Sequence, residues 1–130
     1  MLTLTIRTDK PESEIGLYQD DKRVVYMSWE AHRQLAETIH TKLDELLAKA
    51  KFKLEDLQGI TVYQGPGSFT GLRIGCSVAN ALGDSFHIPI VGADGEKWIE
   101  RGIKDLLSGK NSIAVTPNYG SEALTTKPRK

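Results

Sequence analysis

The chain has 130 residues and one cysteine, Cys76. A single thiol makes no internal disulfide and no cysteine-rich zinc site, which fits a reducing compartment. Net charge is absent too: 17 Lys and Arg balance 17 Asp and Glu. A neutral chain does not hold nucleic acid mainly through its own surface field. Long apolar runs are missing. No stretch approaches the roughly 18 apolar residues that cross a bilayer. The N-terminus MLTLTIRTDKP is apolar for only six residues before Arg7 and has no basic leader, so no secretory signal is expected. At this length one domain is expected, without a cleft between two domains.

What is present is ordinary for a globular domain: 39% hydrophobic and 26% charged residues, enough for one core. Residues 2 to 8 alternate apolar and polar, then stop at Asp9-Lys10-Pro11, as a strand and turn do. Residues 14 to 19 and 23 to 29, around Asp20-Asp21-Lys22, complete an antiparallel meander of three strands. The period then changes. Between His32 and Lys51, Leu35, Ile39, Leu43, Leu46, Leu47 and Ala50 trace one stripe of a helix. Strand 60 to 64, a helix to Phe86, strand 88 to 91, a helix from Asp94 or Gly95 to Leu107 and a last strand 112 to 116 follow. The order β-β-β-α-β-α-β-α-β predicts an α/β fold: a mixed sheet, meander plus parallel strands, flanked by helices.

The most informative run is Gly65-Pro66-Gly67-Ser68-Phe69-Thr70-Gly71-Leu72-Arg73-Ile74-Gly75. A strand enters a glycine-rich turn and leaves as a helix, a geometry that aims backbone N–H groups at one point. It is not a Walker A loop, because Leu72-Arg73 follows Gly71 where Lys-Ser/Thr is required. Ser68 or Thr70 is expected to cap the helix. Ser68 also lacks the spacing of a nucleophile elbow. Within the helix, Gly71, Gly75, Ala79 and Gly83 recur every fourth residue. Each glycine costs a helix roughly 1 kcal/mol against alanine, so a close-packed neighbour is expected to compensate. Small-residue ridges let two backbones approach closely. Ile74, Val78, Ala81 and Leu82 are then expected to face the sheet. Spacing alone leaves open whether the neighbour on the ridge is the chain's own helix 32–51 or a partner chain.

The eleven residues 65 to 75 resemble the signature of the TsaB (YeaZ) family, bacterial proteins needed to make threonylcarbamoyladenosine in tRNA. The meander, the helix opening near His32 and the strand Ile88-Pro89-Ile90-Val91-Gly92 are similar as well, over roughly residues 1 to 107. The resemblance implies half of an actin/hexokinase/Hsp70-type (ASKHA, RNase H-like) fold. It implies a cytoplasmic, non-catalytic scaffold without cofactor or metal. Its partner would be the catalytic paralogue TsaD, with the small ATPase TsaE joining, tRNA reached only through the complex, and no membrane contact. The pairing surface so implied comprises Leu35, Ile39, Leu43, Gly71, Leu72, Arg73, Gly75, Ala79 and Gly83, beside the motif loop Gly65, Pro66, Gly67, Ser68, Phe69 and Thr70. It shifts the expectation for the bare ridge toward a partner helix. A homodimer through the same face is a third option.

Two departures from the family matter. The first strand usually ends Ile-Asp-Thr-Ser, where this chain has Ile6-Arg7-Thr8-Asp9. Arg7 removes a metal-binding carboxylate, and Asp9 lies two residues on, about 7 Å along a strand. Secondly, the family's second half is expected after Val115-Thr116-Pro117-Asn118-Tyr119-Gly120, where the sequence soon stops. The expected organisation is therefore one domain over 1–120 and a flexible tail over 121–130 that ends in Lys-Pro-Arg-Lys. The rival function is a small nucleotide-binding phosphotransferase that uses the glycine loop. Among single residues, His32, His40 and His87 do not form a His-x-x-x-His pair, and Cys76 reads as a buried inert thiol. Arg73, in the first helical turn, calls for an anionic neighbour. Trp98 and Leu106 read as core.

Overall fold

The computed structural model describes residues 1–31 and 34–118. A five-stranded sheet runs in the order β3-β2-β1-β4-β5. Its strands are β1 (Leu2–Arg7), β2 (Glu12–Gln19), β3 (Lys22–Glu30), β4 (Gly59–Tyr63) and β5 (Ile90–Ala93). The first three pair antiparallel, as the short turns dictate, and β4 joins β1 and β5 in parallel through helical crossovers. The helices are α1 (Leu35–Ala50), α2 (Phe69–Phe86) and α3 (Trp98–Leu107). The expected α/β architecture of meander, parallel strands and flanking helices is thus the observed one.

Strand alternation decides which helix covers which face. Leu4, Ile6, Ile15, Leu17, Ile60 and Val62 point to one side, where they form a single buried cluster with Leu35, Ile39, Leu43, Leu46 and Leu47 of α1 and Cys76 and Ala79 of α2. The out-of-phase residues of β4 point to the other side. There Thr61 lies under Gly102, and Leu106 lies over Gly59. Tyr63 meets Trp98 edge-to-face at 5.8 Å between ring centres. So α1 and α2 cover one face, while α3 covers the other face only at β4 and β5.

Three boundaries differ from the sequence reading. The α2 helix closes at His87, whose left-handed φ of 55° returns its N–H to the Gly83 carbonyl, and Pro89 follows. That delays β5 to Ile90. Gly95, with φ of 82°, extends the next turn, and α3 starts at Trp98. The expected last strand, 112 to 116, is irregular chain. Asn111 is the reason at its start, since its Oδ1 accepts from both Ile90 N–H (3.2 Å) and Ile113 N–H (2.8 Å). Asn80 of α2 finishes the segment: its side-chain amide takes the Val115 N–H at 2.8 Å and gives to the Val115 carbonyl at 2.9 Å. Two side-chain amides do what a neighbouring strand would have done. The expected helix start at His32 and the tail over 121–130 lie outside the described residues.

Val115 is buried, so removing its amide partner leaves two backbone groups unpaired. Asn80→Ala is expected to cost about 2 to 4 kcal/mol, read as a lower urea midpoint with an unchanged slope.

Candidate functional site

The site grows from the carboxyl ends of β1 and β4, the usual place for function in an open α/β sheet. After Tyr63 the chain turns through Gly65, whose φ of 119° belongs to glycine, and a Cβ there would overlap the Asn118 carbonyl. The Tyr63 hydroxyl donates to the Pro66 carbonyl at 3.0 Å and pins the turn. At Gly67 a Cβ would stand 2.5 Å from that of Asp9. Ser68 occupies the N-cap position of α2 but makes no side-chain cap, contrary to expectation. The helix start is instead held from the end of β1: the Thr8 hydroxyl donates to the Gly71 carbonyl at 2.6 Å.

This contact decides the meaning of the glycine ridge. A Cβ on Gly71 would overlap the Thr8 carbonyl, and one on Gly75 would overlap the Thr8 hydroxyl. Further along, Ala79 is fully buried, and a Cβ on Gly83 would come within 2.6 Å of the Ile90 side chain. The ridge is therefore filled by the chain's own sheet, not by the foreign backbone that the sequence leads one to expect. Leu35, Ile39 and Leu43 are likewise committed to the core, and Leu72 packs with Tyr63 and Trp98.

The outward face of α2 is its other side. Thr70, Arg73, Ile74, Ser77 and Val78 line a cavity of about 360 Å³ with Ala36, Ile39 and His40 of α1. Ile74 and Val78 are half-buried at its rim, so the side expected to face the sheet is partly open. Phe69 stands 55% exposed, with the Arg73 guanidinium 5.5 Å from its ring centre. Hydropathy alone misses this face because it assigns large apolar side chains to the core before small ones. The packing of α2 is governed by closeness of approach, which only the glycines permit.

Electrostatics at the strand ends is dominated by one pair. Arg7 Nε donates to Asp9 Oδ1 at 2.8 Å and Nη2 to Oδ2 at 3.3 Å, a two-pronged grip. The guanidinium also lies 3.8 Å from the centre of the Tyr63 ring. Burial favours a neutral Arg7, but the bond and charge of Asp9 outweigh it and hold the guanidinium protonated above its usual range. Burial pushes the Tyr63 phenol up, partly countered by Arg7. Cys76 is buried in α2, and desolvation lifts its thiol to about 11, which leaves little thiolate at neutral pH. Among the described residues no three His, Cys, Asp or Glu side chains gather as a metal cluster, and no helix is long and apolar enough to cross a membrane. His40 borders the cavity and His87 closes α2; His32 lies outside the described residues.

Comparison with known proteins places this arrangement. A family model described as TsaD, tRNA N6-adenosine threonylcarbamoyltransferase, matches residues 29–95, just over half the chain. The tRNA threonylcarbamoyladenosine biosynthesis protein TsaB of Buchnera aphidicola is 33% identical over 92 residues, 70% of this chain and 43% of that protein. The chain belongs to the TsaB/YeaZ family. The tRNA N6-adenosine threonylcarbamoyltransferase of Staphylococcus epidermidis is 43% identical over 61 residues, covering 47% of this chain and 18% of that one. Among solved structures, YeaZ from Pseudomonas aeruginosa shares the fold with a TM-score of 0.67 at 21% identity, over 78% of this chain and 50% of that chain. The TsaB/YeaZ chain described here thus spans less than half the length of the Buchnera relative.

The ridge makes a sharp prediction. Gly75→Leu drives a side chain into Thr8 and is expected to destabilise the fold by about 3 kcal/mol or more. Ser77→Leu, on the outward face of the same helix, is expected to stay within about 0.5 kcal/mol. Urea denaturation of the two variants checks both.

Proposed function

We infer that this chain is a non-catalytic scaffold module in the synthesis of tRNA threonylcarbamoyladenosine, and that it docks on the catalytic paralogue TsaD. The family supports the pathway. The observation that carries the non-catalytic part is the Arg7–Asp9 pair. At the strand end where ATPases of this fold are expected to work with metal and phosphate, a cation stands, and the nearby carboxylate is spent on it. The Asp9 side chain is only 7% exposed. A carboxylate gripped by a guanidinium on two oxygens has little left to offer a metal ion. This favours the scaffold over the phosphotransferase reading.

The docking surface proposed is the outward face of α1 and α2, not the glycine ridge. Ile74 and Val78 supply apolar area, Phe69 an aromatic anchor and Arg73 a cation for an acidic partner group, a composition suited to an interface centre. The ridge acts one step removed: by pressing α2 hard onto β1, it fixes where this outward face stands. In this reading residues 1–120 form one domain equivalent to the N-terminal part of longer relatives. TsaE and tRNA join through the complex and not through this chain alone.

Ile74→Asp and Val78→Glu are expected to keep the fold and to lose co-elution with TsaD. Ser85→Ala, at an exposed residue near the end of α2, is the control and is expected to keep co-elution. Co-elution of a folded Ile74→Asp chain with TsaD would overturn the proposed surface. Calorimetry with ATP and magnesium is expected to show no binding to the chain alone, and measurable binding would revive the phosphotransferase.

A further inference from the structure

At the carboxyl end of the sheet, on the side that α1 and α2 cover, a buried hydroxyl stands without a partner. The last β1–β2 pair is Arg7 with Glu14, so Thr8 and Ser13 are the next residues across from each other. They continue the alternation of Leu4 and Ile6, and of Leu17 and Ile15, which meet α1 and α2. Both border a cavity of about 340 Å³. Thr8 gives its hydroxyl proton to the Gly71 carbonyl. Ser13 is fully buried, and among the described residues its Oγ has no hydrogen-bond partner. A hydroxyl buried and unpaired is costly, so it calls for a group that pairs with it.

Lys10, Ser68 and Thr70 stand at the exposed mouth of the same cavity. Ser68 and Thr70 belong to the start of α2, where first-turn N–H groups lack carbonyls within the helix and the dipole favours negative charge. Ser68 puts no side-chain cap there. Lys10 adds a cation; its side chain is half exposed, and Glu14 stands 4.0 Å from it. Asp9 also borders the cavity, but both of its oxygens are held by Arg7. A buried hydroxyl, a helix start and a lysine thus converge on one space, and an anionic acceptor suits all three. Asp9 beside it disfavours a doubly charged phosphate, whereas a carboxylate carries a single charge. The space is continuous with the face proposed for docking, since Thr70 and Ile74 border both cavities.

We propose that this cavity takes a carboxylate side chain, Asp or Glu, of the docked partner, which accepts from Ser13 Oγ and the first turn of α2 and faces Lys10. The proposal rests on the TsaD reading and adds what that surface recognises. Apolar area from Ile74, Val78 and Phe69 suits many partners, while one anchored carboxylate selects a partner and fixes its register. The hydroxyl that is unpaired in the isolated chain is paired in the complex.

Titration calorimetry of the whole chain with TsaD, beside urea denaturation of the chain alone, tests this. Ser13→Ala is expected to weaken TsaD binding about tenfold or more while the urea midpoint stays or rises, because the hydroxyl it removes helps only the complex. Lys10→Gln, at an exposed residue, is expected to weaken binding and to reduce its salt dependence. Among TsaD variants with single Asp→Asn or Glu→Gln changes, one is expected to lose binding and to leave Ser13→Ala without further effect. Ser13→Ala that binds TsaD like the wild type overturns the carboxylate site and leaves the docking face standing. A urea midpoint that falls with Ser13→Ala, or an effect that adds to that of every TsaD variant, does the same. Acetate that binds the wild-type chain alone and not Ser13→Ala gives the cavity to a free acid and overturns the proposal. A wild type that fails to bind TsaD overturns the docking reading and this site together.

Discussion

The close approach of α2 to the end of β1 is the constraint on which the other features depend. The Thr8 carbonyl and hydroxyl occupy the space that side chains at positions 71 and 75 would fill, and the hydroxyl donates to the Gly71 carbonyl. Glycines in a helix oppose its formation, and here that cost is offset by packing that no larger residue allows. With α2 fixed in this way, the turn before it is drawn against Asp9, and Arg7 is left facing Asp9 and Tyr63. Fold and site are thus joined through a few atoms at one strand end.

Much of this is legible in the sequence. Period-two alternation marks the meander, and period-3.6 spacing marks α1, because both patterns report a single buried face. The loop Gly65 to Gly75 is conspicuous because glycine and proline restrict backbone choices so strongly. The direction of the ridge is not legible. Spacing shows that Gly71, Gly75, Ala79 and Gly83 share a side of the helix, but not which neighbour fills it. Thr8, the residue that fills it at Gly71 and Gly75, lies 63 positions from Gly71 and has no local signature. The last expected strand fails for a similar reason. Alternation cannot reveal that Asn80 and Asn111 satisfy the backbone groups a strand neighbour would have taken.

The layers are unequal. Two helices cover one face of the sheet, while α3 covers only β4 and β5 on the other. The part of that second face beyond α3 carries buried Tyr18, half-buried Tyr26 and exposed Arg23, whose Nε lies 3.4 Å from the Tyr18 hydroxyl. The Tyr26 hydroxyl donates to Glu14, and burial followed by that bond pushes its ionisation far above the ordinary range. Polar tips on aromatic bodies let this face meet water while the sheet beneath stays dry.

The route of the chain after α3 has a mechanical meaning. Asn118 N–H donates to the Gln64 carbonyl at 2.7 Å, one residue before the Gly65 turn, and the Asn118 carbonyl closes over Gly65 itself. Gly65 is thus covered by Asn118 and Gly67 by Asp9, so the turn that launches α2 is clasped between two segments far apart in sequence.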